Sequence, residues 1–324
     1  MRLSVVAPLY NCLDFTRAMV ASLQATLPAE LTHEIILVDD GSTDGTAEWL
    51  ATLGPPFVAV RNPRNLGYAA ANNRGAALAR GELLALLNND LVLTPGWLEP
   101  MLRVHKELGD RAGVIGNIQI SVRTGTVDHA GIGVDFKGKP EHERGRPSLW
   151  RRWLRPVRRV DALTGACVIV SRKLWNEVGG FDEGYVNGCE DIDFCLRAAA
   201  AGRIHAVALR SVVRHHVSSS PGRKLRDEAN AYRLTRKWKD TLAQLGLRAW
   251  CRHYLETYAP DPRDYPDQAL ARQAVAYLAR LRRLPPSGAI AGMQAAIEVE
   301  LARWHSLFLE SASENKLQKP GQRA

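Results

Sequence analysis

The chain of 324 residues is 46% apolar and 24% charged, enough for a buried core and contrary to wholesale disorder. Its 43 basic and 34 acidic side chains leave a net charge of +9, concentrated at 137–159 and 203–239, a surface that attracts phosphates of any kind or serves only to keep the chain solvated. Five cysteines without CxxC spacing argue against a disulfide framework or a zinc site, and no apolar run approaches the roughly 18 residues of a membrane helix, so a cytoplasmic chain with at most peripheral contact at the inner face of the membrane is expected.

The first 95 residues alternate strand and helix signals. Leu3–Ala7 is a short apolar strand that stops at Pro8 and is too short for a signal peptide. A helix over 14–26 follows, with Asp14 as its expected N-cap. Glu34–Val38 is a second strand, ending in Asp39-Asp40-Gly41-Ser42 before a helix at Thr43–Leu53. Phe57–Val60 is a third strand, Ala69–Ala79 a small-residue helix, and Leu83–Leu87 a fourth strand that ends in Asn88-Asn89-Asp90. Continuous apolar strands alternating with helices predict a mostly parallel sheet covered on both faces. Ligands of such sheets bind at the carboxyl ends of the strands, where the polar groups after the first, second and fourth strands should meet.

Further along, Val114–Ile120 and Val168–Val170 read as strands. Residues 191–201 read as a helix with Ile192, Cys195 or Leu196, and Ala199 on one face, ended by Gly202. Residues 121–160 are expected to be variable loops. Beyond 221 helical patterns dominate, as in Leu270, Ala274, Leu278, Leu281 and in Met293, Ile297, Leu301, Trp304, Phe308, with Pro260, Pro262, Pro266 and Pro285-Pro286 as punctuation and a polar, frayed last dozen residues. The expected division is 1–98 and 99–220 as two halves of one domain and 221–324 as a helical extension.

Several clusters carry chemistry. Asp90 in Asn88-Asn89-Asp90 can hold Mg²⁺ or Mn²⁺ and through it a pyrophosphate, although Asn and Asp equally make turns. Asp39-Asp40-Gly41-Ser42 is either a turn with a helix cap or a contact to a base or ribose. Glu190-Asp191-Ile192-Asp193 is either a set of helix-dipole caps or a source of a general base whose pKa its neighbours raise. His215-His216 follows a strand-like stretch, where a neutral imidazole could complete a metal shell.

Taken in order, Val5-Val6-Ala7-Pro8-Leu9-Tyr10-Asn11, Ile36 to Thr46, Asn65-Leu66-Gly67-Tyr68-Ala69, Leu87-Asn88-Asn89-Asp90, Thr164-Gly165-Ala166, Gly179-Gly180-Phe181-Asp182 and Glu190-Asp191-Ile192-Asp193 resemble the family 2 glycosyltransferases of GT-A fold. The likeness is greatest to the rhamnosyltransferase-like members, which build bacterial surface polysaccharides, and it covers about residues 3–220. It implies a Rossmann-like α/β sheet with helices on both faces and an inverting enzyme. The implied donor is a UDP- or dTDP-sugar, and the implied acceptor a glycan or lipid-linked hydroxyl. By the same resemblance Pro8 and Tyr10 line the base pocket, Asp39 and Asp40 read the base, and Gly67, Tyr68 and Asn89 face the donor. Asp90 and His215, with His216 as the alternative, hold a divalent metal; Asp191 is the base and Glu190 its neighbour in the acceptor site. The motif that usually reads Asp-x-Asp keeps only its last acid here, Asp90.

Other classes fit the sequence less well. A non-catalytic nucleotide-sugar or glycan-binding module would bind donor without consuming it. A nucleic-acid binder is suggested by Trp150 and Trp153 among the arginines of 144–159, but a disordered acceptor-side loop that closes over anionic substrate is the simpler account, and no nucleic-acid partner is expected. A Rossmann dehydrogenase or a P-loop enzyme lacks its GxGxxG or GxxxxGK[ST] here. The C-terminal helices, with Arg272, Arg280, Arg282 and Arg283 beside an apolar stripe, could touch a membrane surface or simply pack a core.

Overall fold

The computed structural model describes residues 2–145, 147–216, 223–258 and 265–317; Arg146, Pro260, Pro262, the 220/221 boundary and the last residues expected to fray lie outside them. The chain divides into two compact units, Met1–Gly133 with His142–Arg223, and Val134–Glu141 with Lys224–Ala324.

In the first unit β1 (Leu3–Leu9), α1 (Leu13–Thr26), β2 (His33–Asp39), α2 (Thr46–Leu50), β3 (Phe57–Arg61), α3 (Tyr68–Leu78) and β4 (Leu83–Leu87) follow the predicted alternation. They are followed by β5 (Leu91–Leu93), α4 (Glu99–Leu108), β6 (Ala112–Ser121), β7 (Val127–His129), β8 (Ile132–Val134) and β9 (Pro140–His142). Then come α5 (Leu149–Leu154), β10 (Val157–Val160), β11 (Cys167–Ser171), α6 (Arg172–Val178), α7 (Glu190–Ala200) and β12 (Ile204–His215). The strands line up as β10-β12-β6-β11-β4-β1-β2-β3, with β5 on β12 and β7 on β6.

Strands β1 to β4 are mutually parallel, and β6 is parallel to β12, whereas β11 runs antiparallel to both β4 and β6. The sheet is therefore mixed. The reversal sets Cys167, the first residue of β11, beside Leu87, the last of β4. The stretch expected as loops at 121–160 carries β7 to β10 and α5 instead.

Alternation along each strand sends side chains to two separate cores. Ile36 and Val38 join Val6, Leu84 and Leu86 on the face covered by α3, α6 and α7, while Ile35 and Leu37 join Leu3, Val5 and Leu9 on the face covered by α1 and α4. Helix α3 sits close because Gly75 has no side chain: a Cβ there would come within 2.4 Å of Val6 Cγ1 and 3.1 Å of Val38 Cγ2.

Three local readings are corrected. Asp14 does not cap α1. The cap position is Cys12, held left-handed at φ 60°, and the Leu13 amide donates instead to Asp44 Oδ2 at 2.9 Å from the loop after β2. Helix α2 is shorter than the expected 43–53, because Gly45 at φ 87° delays its start and the chain turns after Leu50. The inner face of α7 is Phe194, Cys195, Leu196 and Ala198; Ala199 faces solvent.

The second unit is helical: α8 (Arg223–Thr257, broken at Trp238), α9 (Gln268–Leu278) and α10 (Ser287–Leu317). Leu242, Leu247, Cys251, Ala274, Met293, Ile297 and Trp304 are buried, but Leu281 lies past the end of α9 and is 85% exposed, contrary to its place in the expected stripe. Lys139 pairs with Glu300 at 2.9 Å, and Phe136 stacks on His253. Among the described residues no helix is long and apolar enough to cross a membrane.

The Gly75 contact gives a stability test. Gly75→Val should destabilise the first unit by about 1–3 kcal/mol through overpacking against Val6 and Val38, read as a lowered urea midpoint with unchanged slope.

Candidate active site

The carboxyl ends of β1, β2 and β4 converge as expected. Asn11 follows β1 in a left-handed conformation (φ 54°), its amide donating to Ser42 Oγ and its side-chain oxygen accepting from the Thr43 amide, each at 2.9 Å. Asn89 donates to Thr16 Oγ1 at 3.1 Å and, more weakly, to the Asn11 carbonyl. Pro8 does not end β1 as expected but lies within it opposite Val38, with Leu9 paired to Asp39 beyond it, and the Tyr10 side chain stands half exposed at the rim.

The two acids after β2 do different things. Asp39 is fully buried; one oxygen accepts from the Ser42 amide at 2.8 Å and the other faces Arg61 Nε at 3.3 Å. Asp40 accepts from Asn62 Nδ2 at 2.6 Å and from the Leu66 and Gly67 amides at 2.9–3.1 Å. It thus fixes the 62–67 loop over the strand ends. That loop lies on Gly41, where a Cβ would come within 2.6 Å of the Arg64 carbonyl carbon, so only glycine fits at φ 77°.

Asp90 and His215 come together although 125 positions separate them, with Asp90 Oδ1 at 3.1 Å from His215 Nε2. His215 is held between Leu91 of β5 and Ser121 of β6, and the His216 amide donates to the Asp90 carbonyl at 3.0 Å. The His216 ring turns away onto Phe15 at 4.5 Å, so His215 and not its neighbour faces the carboxylate. On the other side of the imidazole stands Asp128 of β7, with Oδ2 at 3.8 Å from Nδ1, a Coulombic contact too long for a hydrogen bond. Burial opposes a charge on His215, but the two carboxylates outweigh it and raise the pKa to about 9. A part-buried imidazole between two acids marks a place that favours positive charge. One carboxylate and one imidazole is a donor set that Mn²⁺ or Mg²⁺ accepts, and cis ligands of an octahedral cation at about 2.1 Å lie roughly 3 Å apart, as these two atoms do.

The third cluster opens α7. Cys189 and Asn187 before it are left-handed (φ 71° and 54°), a concentration of strain typical of functional loops. Glu190 is buried and accepts from the Gly188 amide. Asp191 Oδ2 accepts from the Gly165 amide and Oδ1 from the Ile192 amide, both at 2.8 Å. Burial is the largest influence on Asp191 and raises its pKa; the neighbouring acids, expected to do this, are not the cause. Asp193 points elsewhere, pairing with Arg197 at 2.7 Å inside the core.

Tyr68 joins the clusters. Its hydroxyl donates to the Gly165 carbonyl at 2.9 Å, its amide donates to Asn187 Oδ1 at 2.9 Å, and its own ionisation is suppressed by burial and by the charges of Asp191, Glu190 and Asp90. Gly165 is pinched beneath it, since a Cβ would lie 2.7 Å from the Tyr68 hydroxyl. Asp128 and His142 were not anticipated. Asp128 faces His215, and His142 lies near enough to Asp191 to favour its charged form and packs edge-on against His129 at 5.0 Å. Both come from short strands without a motif, and the Asp128-His129 pair after a turn was the one signal present.

The model of the family described as "Glycosyl transferase family 2" matches residues 4–174. An uncharacterised protein of Sinorhizobium fredii, y4gI, is 30% identical over 253 residues, covering 73% of this chain and 27% of its own. The O-antigen biosynthesis protein RfbC of Myxococcus xanthus is 31% identical over 237 residues, covering 68% and 18%. The chain therefore spans about a quarter or less of these two relatives. An N-acetylglucosaminyl-diphospho-decaprenol L-rhamnosyltransferase of Mycobacterium tuberculosis is 29% identical over 253 residues, covering 68% and 78%. Among solved structures, GalNAc-T7 with UDP, GalNAc and Mn²⁺ superposes with a TM-score of 0.61 at 17% identity, covering 88% of this chain and 58% of that one. S. aureus TarS residues 1–349 with UDP-GlcNAc gives 0.52 at 16% identity, covering 86% and 72%. The architecture is GT-A.

The His215 environment predicts a pH signature in metal-free protein. Its folded pKa stands above the unfolded value of about 6.5, so its contribution to stability is complete below that pH and is lost as pH rises through about 9. The melting-temperature gap between wild type and His215→Ala should be widest near pH 6 and close above pH 9. An NMR titration should place the imidazole midpoint near 9, falling by at least about one unit in Asp90→Asn.

Proposed function

We propose that this chain, which belongs to glycosyl transferase family 2, transfers a sugar with inversion from a UDP- or dTDP-sugar to a hydroxyl of a glycan or lipid-linked acceptor. It is a glycosyltransferase of GT-A fold. The relatives named for O-antigen biosynthesis and rhamnosyl transfer favour cell-surface polysaccharide synthesis.

The observation that carries the reading is the meeting of Tyr68, Gly165 and Asp191 beside the strand ends that bear Asp90. In this reading residues 1–98 form the donor half and 99–220 the acceptor half, with Pro8, Tyr10 and Asp39 around the base. Asp40 orders the loop bearing Gly67 and Tyr68 above the nucleotide, while Asn89 holds the Asn11 turn beside it. Asp90 and His215 would hold Mg²⁺ or Mn²⁺, with Asp128 steadying the imidazole from behind. When bound, that cation supplies charge stabilisation to the departing nucleoside diphosphate.

Asp191 takes the proton from the acceptor hydroxyl as its oxygen attacks the anomeric carbon from the face opposite the leaving group. Two amide donors fix its carboxylate, and burial raises its pKa, making it a stronger base than an exposed aspartate. Glu190, fixed by the Gly188 amide, borders the acceptor position.

Asp191→Asn should lower kcat by about a hundredfold or more while donor binding persists. Full turnover in Asp191→Asn would remove the assigned base.

Donor hydrolysis across UDP- and dTDP-sugars, with and without Mn²⁺, tests the rest. Turnover should require a divalent cation in wild type and be lost in Asp90→Ala. Donor binding without consumption in every arm would indicate a binding module instead.

A further inference from the structure

Outside the site, the most unusual surface of the first unit is α5. Trp150 is 69% exposed, Trp153 64% and Leu154 54%, so three large apolar side chains face water on one six-residue helix. The two indoles stack on each other, with centroids 5.9 Å apart and planes 25° from parallel, which leaves each one open face. The helix is not loose. Arg152 Nε donates to the Leu209 carbonyl at 2.7 Å, and an Arg210 guanidinium nitrogen donates to the Trp153 carbonyl at 2.9 Å. Both anchors come from the middle of β12, so the indoles are fixed to the sheet itself.

The segment that carries this patch has charged side chains of one sign only. Residues 144–160 hold seven arginines and no Asp, Glu, Asn or Gln. Arg158 is committed to Glu143 at 2.9 Å and Arg152 to the strand, while Arg144, Arg155, Arg159 and Arg210 remain exposed.

We infer that α5 and its flanking arginines form a docking surface for an anionic lipid bilayer, with Trp150, Trp153 and Leu154 seated at the headgroup level and Arg155, Arg159 and Arg210 against lipid phosphates. Tryptophan favours that boundary because its ring is apolar and its N–H polar. Arginine beside it gains from the negative surface potential of an anionic leaflet. A glycan partner fits less well, since sugar hydroxyls are read by carboxylates and amides and the stretch contains neither. A single-stranded nucleic acid fits less well too, because the indoles already occupy one another's inner faces and Leu154 offers nothing to a base. The inference goes beyond the reading of the reaction and does not depend on the roles of Asp90 or Asp191.

The test is flotation of the full chain with vesicles of phosphatidylcholine alone and with added phosphatidylglycerol. Wild type should partition onto the anionic vesicles, weakly onto the neutral ones, and less as ionic strength rises. Trp150→Ser/Trp153→Ser should weaken partition at least about tenfold, and Arg155→Glu/Arg159→Glu should abolish the preference for phosphatidylglycerol. All variants should keep the wild-type melting temperature, because these side chains are exposed.

Three results would overturn the inference: no partition by wild type; undiminished partition by the double tryptophan variant; or loss instead in Leu281→Ser/Leu284→Ser, the exposed apolar pair of the second unit. A tryptophan variant that loses oligonucleotide or glycan binding and keeps lipid partition would assign the patch to those partners. Donor hydrolysis measured in lipid-free solution keeps the two proposals apart: its absence from wild type would sink the reaction while leaving the membrane contact standing.

Discussion

The antiparallel placement of β11 between β4 and β6 decides what the rest of the first unit can do. In a wholly parallel sheet the chain entering each strand arrives at the end remote from the ligand crevice. Here Cys167 starts β11 beside Leu87, the last residue of β4, so the turn Thr164-Gly165-Ala166 arrives at the crevice. The Asn88 amide donates to the Ala166 carbonyl at 2.8 Å, which ties that turn to the Asn88-Asn89-Asp90 segment. Gly165 then offers its amide to Asp191 and its carbonyl to Tyr68. One strand reversal thus joins four stretches of sequence, and the glycine at their meeting point has no room for a methyl group.

Electrostatically the crevice is divided. Asp40 is saturated by Asn62 and two loop amides and acts as a backbone organiser. Asp193 is neutralised by Arg197 in the core. Asp90 and Asp128 flank a single imidazole, whereas Asp191 is held by amides in a buried setting. The acids that look alike in sequence are thus sorted by their partners: loop amides, an arginine, a shared imidazole, or amides in a buried setting. A motif reduced to Asp90 alone still faces a second acid, because Asp128 supplies one from the far side of His215.

The strands and the crevice were legible because their signals are local. Apolar runs of the length of β1, β2 and β4, each followed by Asn or Asp, state both a buried strand and a polar mouth. Asp90 and His215 could be suspected separately. Their contact depends on β5 and β12 pairing across 125 positions, which no window of sequence reports. Asp128 was invisible for the same reason, since its place follows from a three-residue strand and an irregular register on β6. The Asp14 cap failed because the helix begins one residue earlier, at Leu13 behind a left-handed Cys12, which puts Asp14 inside the first turn. The pKa of Asp191 was read from sequence neighbours, but burial, a property of the folded whole, governs it.

The pairing that holds His215 has one more consequence. Its strand is bonded on one flank to β5 and on the other to β6, and the next amide along, that of His216, is closed onto the Asp90 carbonyl. His215 is therefore mounted on a three-strand ladder, and Asp90, in the turn that leads into β5, is tied by its carbonyl to the next residue of that ladder. Amide protons of such a ladder exchange with solvent only through large, rare openings. Any change in what His215 faces would then be a matter of side-chain rotation on a still strand, with backbone motion left to the turns around it.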